Sequence, residues 1–200
     1  MSKYEDYAYS KAREGILAIK DKVAADIYAL SFYYSADEDD ERKAILSVGY
    51  NTNARWRACT PAPGQKPMWP IASSSDEAKW NYAFWLQEKG EACTIGAARA
   101  DEAARKEWIQ SLGCWWTDGE EEEDFDSTLE LRDKIMDHFV ALCVAVAKRL
   151  HEAGVMSKKF GRLVPILVHE SEYHDGIAEA TRRANPRGLA AEFEKWIKAM

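Results

Sequence analysis

The sequence predicts an α+β fold, in which a small and mainly antiparallel sheet packs against several helices. An apolar stripe at the 3.6-residue period predicts one long helix over about 127–153. Two short segments rich in β-preferring residues, 27–34 and 44–50, predict an antiparallel hairpin. The 200 residues, of which 46% are hydrophobic, suit a single globular domain that spans 1–200.

A helix precedes the hairpin and a loop follows it. Residues 4–22 place Tyr4, Ile16 and Ile19 at helical spacing, although Gly15 within them costs about 1 kcal/mol relative to alanine. The acidic residues 37–41 turn the chain between the two strands. Four of the six prolines fall within 60–75, which predicts a surface loop.

The second half of the chain is mainly helical. Ser74 or Ser75 caps a short helix, and residues 80–86 pass from helical to extended chain. A helix over 101–112 ends at Gly113, a common stop signal. A third strand, 163–169, contains Pro165, which indicates an edge strand or a position that faces away from the hydrogen-bond ladder. Helices over 172–184 and 189–198 close the chain.

Negative charge is concentrated in two short runs. Residues 37–41 are all acidic, and seven of the nine residues 118–126 are acidic. The runs hold 12 of the 34 acidic residues, and the other 22 are outnumbered by 27 lysines and arginines. Such local charge steers basic partners towards a surface. The alternatives are a solvated loop kept for solubility, or acids that suit the positive end of the following helix dipole.

Tryptophan residues adjoin the second acidic run, and tryptophan is favoured at the centre of protein interfaces. We predict that Trp115 and Trp116, and also Trp85, act as anchors beside the acids. Core burial or a carbohydrate platform would also explain these rings. Arg55 and Arg57 flank Trp56, where they can stack on it or pair with the acidic runs. The residues predicted to bind a partner are Trp115, Trp116, Asp118, Glu120, Glu121, Glu122, Glu123, Asp124 and Trp85.

The densest group of possible catalytic or metal-binding side chains is His169, Glu170, Glu172 and His174, where a strand leads into a helix. Histidine and carboxylate side chains can bind metal or transfer protons. The two histidines are five residues apart and do not share a helical face, unlike those of H-E-x-x-H. Nucleophile-elbow and phosphate-loop motifs are absent from the sequence. The sequence therefore predicts no catalytic residue and no cofactor, with a small hydrolase or metal-dependent enzyme as the alternative.

Composition argues against several other classes. A pI of about 5.2 is unsuited to phosphate binding, so we expect no nucleic-acid partner. No apolar run approaches the roughly 20 residues that cross a bilayer, and no apolar signal core follows the N-terminus. We therefore expect a cytoplasmic protein without a membrane partner. The four cysteines form no close pair, which favours free thiols over a zinc site.

The order of several motifs resembles that of an uncharacterised family of small bacterial cytoplasmic proteins, a domain of unknown function. The resemblance covers the first helix, the strand 27–34 with the following acids and strand, and the tryptophan-containing segment 76–85. It continues through Phe139 of the long helix, the strand segment 165–168 and Ala184-Asn-Pro186. Families of this kind include candidate immunity proteins, encoded beside contact-dependent or type VI toxins. The resemblance implies no functional residues.

These observations favour a non-enzymatic protein-binding module. The most concrete hypothesis is a bacterial immunity protein, whose acidic segments face the basic active-site cleft of a cognate toxin. The alternatives are the enzyme described above and a regulatory or structural subunit of a larger assembly. The oligomeric state is not predicted.

Overall fold

The fold described here is that of a computed structural model, which describes residues 2–200. The helices of this part are α1 Lys3–Ala18, α2 Asp21–Ala24, α3 Asn53–Cys59, α4 Ser75–Trp80, α5 Arg99–Ser111, α6 Asp118–Glu123, α7 Phe125–Glu152, α8 Val155–Phe160, α9 Asp175–Ala184 and α10 Ala191–Ile197. The strands are β1 Ile27–Asp37, β2 Asp40–Thr52, β3 Glu91–Ile95 and β4 Ile166–His169. The predicted α+β class is confirmed.

The four strands form one mixed sheet in the order β3-β2-β1-β4. β1 and β2 are antiparallel, as are β2 and β3, whereas β4 runs parallel to β1. Pro165 immediately precedes β4, which is an edge strand as Pro165 suggests. The sequence does not predict β3, because five residues without clear alternation carry little periodic signal.

Successive side chains of a strand point to opposite sides of the sheet. In this sheet both sides carry buried apolar side chains, and helices cover both. Leu30 and Phe32 of β1 join the larger core, which α1, α5, α7 and α8 complete. Ala29 lies on the other face, in a smaller core with aromatic residues of α4 and α10 such as Trp80 and Phe193.

The long helix α7 supplies much of the larger core. Its predicted apolar stripe is buried from Ile135 through Phe139 and Cys143 to Leu150. The first turns are an exception, since Leu129 is 42% exposed. The prediction that the stripe begins at Leu129 is therefore wrong: in these turns Thr128 is buried and Leu131 packs against the larger core instead.

Helix α1 ends at Ala18, and the chain re-enters a helical turn as α2, so the single helix predicted over 4–22 is wrong at its C-terminal end. Gly15 lies where α1 crosses β3. A β-carbon at this position would lie 2.7 Å from the Sγ atom of Cys93. Glycine is therefore needed for the close approach of the helix to the sheet.

The hairpin between β1 and β2 turns through Glu38 and Asp39, whose φ angles are 54° and 57°. Both residues are in the left-handed region, which residues with a β-carbon adopt at a cost. Tight two-residue hairpin turns of this geometry favour Asn-Gly or Asp-Gly. Here two acidic residues occupy the turn.

No helix within residues 2–200 has the length and apolar character that crossing a bilayer requires.

Candidate functional site

The two acidic runs lie side by side, joined by two arginines. Arg42 of β2 lies 2.9 Å from Asp40 and 2.8 Å from Asp118. Arg132 of α7 pairs with Glu121 and lies 3.5 Å from Glu41. We call residues 37–41 and 118–126 together the acidic pole. Its two halves are remote in sequence, and Arg42 and Arg132 offset part of their repulsion.

Arg55 and Arg57 take no part in this network, and the prediction that they pair with the acidic runs is wrong. The Nε atom of Arg55 donates to the Phe84 carbonyl oxygen at 2.8 Å. Arg57 lies 3.9 Å from Asp26.

Much of the second run is helical rather than a solvated loop. Thr117 and Glu120 form a capping box at the start of α6: the Glu120 N–H donates to the Thr117 hydroxyl at 3.3 Å, and the Thr117 N–H donates to the Glu120 carboxylate at 2.7 Å. Asp124 caps α7 by accepting the Ser127 N–H at 3.1 Å. The bond from the Thr117 N–H lowers the pKa of Glu120. The Ser127 hydroxyl, which donates to Asp124 at 2.6 Å, and then the Ser127 N–H lower the pKa of Asp124. Glu120 and Asp124 therefore have structural roles.

The three predicted anchor rings differ in exposure. Trp116 is 2% exposed, and its indole N–H donates to Glu121 at 2.9 Å, which lowers the pKa of that carboxyl group. Trp85 is also 2% exposed and packs in the smaller core, with its N–H on the Lys79 carbonyl oxygen. Trp115 is half-buried. An anchor must reach its partner, so Trp116 and Trp85 are packing residues here, contrary to the predicted surface position.

The exposed part of the acidic pole includes an apolar pair that the sequence analysis did not select. Phe125 is 53% exposed and Leu129, one turn later on α7, is 42% exposed. Exposed acids, among them Glu123, Asp124 and Asp126, adjoin Phe125 in the sequence, and the Arg132 guanidinium lies 5.7 Å from the Phe125 ring centre. In the sequence, the feature that could have indicated this pair is Phe125 itself, a phenylalanine within an otherwise acidic run. The predicted partner-binding residues that stay exposed are Asp118, Glu120, Glu122, Glu123 and Asp124.

The sheet separates the members of the predicted histidine cluster. His169 is 1% exposed on the face of the smaller core, where its Nε2 atom lies 2.7 Å from the Ser31 hydroxyl oxygen. The rings of Tyr33, Tyr82 and Tyr173 surround it. Burial without a counter-charge lowers the pKa of His169 to about 4. His169 is therefore a neutral packing residue.

Glu170 and His174 lie on the opposite face, towards α7. The Glu170 carboxylate accepts from the Tyr34 hydroxyl at 3.1 Å and lies 3.1 Å from His174 Nε2. The Nδ1 atom of His174 accepts the Gly176 N–H and caps α9. Glu172 is exposed. The four side chains do not converge, and no group of three His, Cys, Asp or Glu residues within 2–200 has a metal-binding arrangement.

No protein-family model, curated protein or solved structure matches the chain. The resemblance in motif order therefore stays a prediction.

Proposed function

We propose that the protein is a non-enzymatic binding module that docks a basic protein partner on the acidic pole. The observation that carries the proposal is the exposed apolar pair Phe125 and Leu129, which lies on the acidic pole and is flanked in the sequence by exposed carboxylates. An apolar centre with a charged rim is the usual arrangement of a protein interface.

The two parts of this surface have different physical roles. The exposed carboxylates attract a basic partner over distances of about one Debye length, roughly 8 Å at physiological salt, and so raise the association rate. Phe125 and Leu129 lose water only on contact, so they slow dissociation. Glu121 contributes less to binding, because Trp116 and Arg132 already occupy its oxygens.

The partner class that we propose is a bacterial toxin with a basic active-site cleft, which the protein would block in the cytoplasm as an immunity protein. The resemblance in motif order and the acidity of the surface support this class. A regulatory subunit of a larger assembly would use the same surface, and the identity of the partner distinguishes the two.

The test is to isolate the partner with the whole chain as bait and then to measure binding kinetics at low and physiological salt. A steering variant carries Glu120→Gln, Glu122→Gln, Glu123→Gln and Asp126→Asn. It spares Glu121, and glutamine at position 120 preserves the capping box. Its association rate should fall severalfold at low salt and less at physiological salt. The anchor variants Phe125→Ser and Leu129→Ser should instead dissociate faster.

A matched control makes the same charge change on exposed acids elsewhere, at Glu14, Glu88, Glu152 and Glu172. We expect its rates to stay close to those of the natural chain. Unaltered kinetics in the steering and anchor variants at both salt concentrations, or a partner with net negative charge, would rule the proposal out.

A further inference from the structure

A polar pocket of about 550 Å³ lies at the edge of the acidic pole, between the end of the β1–β2 hairpin and α5, and is lined in part by Asp37, Asp40 and Asp118 of the pole. Gly96, at the end of β3, forms part of its wall, and Trp115 forms another part. Ligand pockets commonly enclose about 300–1,000 Å³, so the pocket could accommodate a small molecule.

Arg105 is fixed in the wall of this pocket. It is 7% exposed, and its Nη1 atom donates to the carbonyl oxygen of Gly96 and, at 3.5 Å, to that of Ala44. One turn earlier on α5, Asp101 accepts the Gly96 N–H at 2.7 Å and also the Tyr7 hydroxyl. Two residues of α5 therefore bind the Gly96 backbone, Asp101 at its N–H and Arg105 at its carbonyl oxygen. These bonds fix the orientation of the Arg105 guanidinium.

The remaining donors of Arg105 have no partner in the part of the chain that the structure describes. Within residues 2–200, no acceptor forms a hydrogen bond with the Nε or Nη2 atom of Arg105. No carboxylate of these residues lies within 4.0 Å of its guanidinium group. Neither nitrogen is among the fully occluded polar atoms that lack a partner. Because Arg105 lines the pocket, these donors are open to a ligand. A guanidinium binds a carboxylate strongly through parallel N–H donors.

The other charged residues of the pocket determine which charged group the ligand carries besides its carboxylate. Arg42 is neutralised by Asp40 and Asp118, and Lys43 pairs with Glu38. Four charged lining residues form no ion pair within residues 2–200: Arg105, Lys106, Asp37 and Glu102. The Lys106 ammonium lies 4.6 Å from the Trp115 ring centre. Two cationic and two carboxylate side chains are thus available to a ligand. A simple anion would pair with the cations but would leave the two carboxylates without a positive partner.

We propose that this pocket binds a small zwitterion of the α-amino-acid class. Its carboxylate pairs with Arg105 and Lys106, and its ammonium group with Asp37 and Glu102. Trp115 forms one wall of the pocket, and its ring holds the Lys106 ammonium at that wall. This site does not depend on the proposed docking of a basic protein.

The experiment measures binding of the common L-amino acids to the whole chain by calorimetry and by the shift in melting temperature. We expect at least one amino acid to bind. The matched carboxylic acid without an amino group, and the matched amine without a carboxylate, should each bind about tenfold more weakly or worse. Inorganic phosphate serves as the simple anion. If no amino acid binds, or if phosphate or the plain acid binds as well, the proposal is overturned.

Variants test the assigned residues. Arg105→Gln should weaken binding about tenfold or more, because the lost contacts involve ionised groups. Since this change also removes the bonds to Gly96, the exposed residues provide an independent test through Lys106→Gln and Asp37→Asn. Each should weaken binding severalfold with little change in melting temperature. Lys89→Gln, an exposed lysine elsewhere, is the control. Affinity that is unchanged in both Lys106→Gln and Asp37→Asn contradicts the site.

Discussion

His169 is buried with a neutral ring, and this has a consequence for acid stability. The pKa of His169 is about 4 in the folded chain, below the ordinary value of 6.5. At a pH between these two pKa values, His169 binds a proton in the unfolded chain but not in the folded chain. The stability that the neutral His169 ring contributes is therefore fully present above the unfolded pKa, and it is lost as the pH falls towards the folded pKa.

We predict that the free energy of unfolding decreases by roughly 3 kcal/mol between about pH 6.5 and about pH 4 through this residue. Urea unfolding at several pH values measures the decrease. His169→Gln should flatten the slope, whatever its effect at neutral pH. His138→Gln, on the exposed side of α7, is the matched control and should keep the natural slope. Equal slopes in the natural chain and His169→Gln would contradict the prediction.

The turn residue Asp39 has a φ of 57°, so its conformation suits glycine. We predict that Asp39→Gly raises the free energy of unfolding by about 1 kcal/mol, because glycine adopts the left-handed region without strain. The same change at Asp37 also removes one negative charge but lies in β1, where glycine should destabilise. Denaturant unfolding compares the two variants. A stabilising Asp37→Gly would show that charge, and not the backbone, is responsible.

Individual contacts were the least predictable feature of the sequence. It identifies the acidic runs, but not their arginine partners, because Arg42 and Arg132 meet Glu121 only after distant segments have packed. The adjacent rings of Trp115 and Trp116 look equivalent in the sequence, yet only Trp116 is buried. The sequence does not indicate the roles of Gly96, Asp101 and Arg105 for the same reason, since their contacts join α5 to β2 and to the end of β3.

At the scale of the elements, Gly15 reverses the usual preference of a helix. Alanine normally stabilises a helix interior relative to glycine by about 1 kcal/mol. We predict that Gly15→Ala instead destabilises the fold, because its β-carbon would lie 2.7 Å from Cys93 Sγ and 2.9 Å from Cys93 Cβ. Gly119 in α6 has no atom within 4 Å of such a β-carbon, so Gly119→Ala should stabilise. Thermal unfolding of both variants measures the contrast, and stabilisation by Gly15→Ala would show that α1 can move away from β3.

The sequence predicts the elements that have a strong period and misses those made by local capping. The α7 stripe follows from apolar periodicity, and the β1–β2 hairpin follows from two short segments rich in β-preferring residues. Helix α6 contains glycine and four successive glutamates, which suggest a loop. Its capping box at Thr117 and the contacts of Glu121 stabilise it in spite of that composition.

For the whole molecule, Arg132 joins three segments, because it lies on α7 and contacts both Glu121 of α6 and Glu41 of β2. We predict that Arg132→Gln lowers the free energy of unfolding by about 1–3 kcal/mol, since the partly buried Glu41 then loses its cation and Glu121 keeps only Arg42, 3.8 Å away. Added salt should recover part of the loss by screening the repulsion between the two acidic runs.

Lys134→Gln is the matched control for that variant, because Lys134 is more exposed and pairs only with Glu130 of the same helix. It should change the free energy of unfolding by less than about 0.5 kcal/mol. Chemical denaturation at two salt concentrations compares the variants. A similar loss in both, or a loss that salt does not reduce, would contradict a linking role for Arg132.

The parallel pairing of β4 with β1 also governs when the sheet is completed. β2 follows β1 across a two-residue turn, whereas Leu30 of β1 meets Ile166 only after most of the chain has been synthesised. Contacts between such distant positions form slowly. Until β4 arrives, one side of β1 exposes unpaired N–H and C=O groups beside Leu30 and Phe32, which is a template for association with other chains. A ribosome-bound or truncated chain that stops before Ile166 should therefore be prone to aggregate and depend on chaperones.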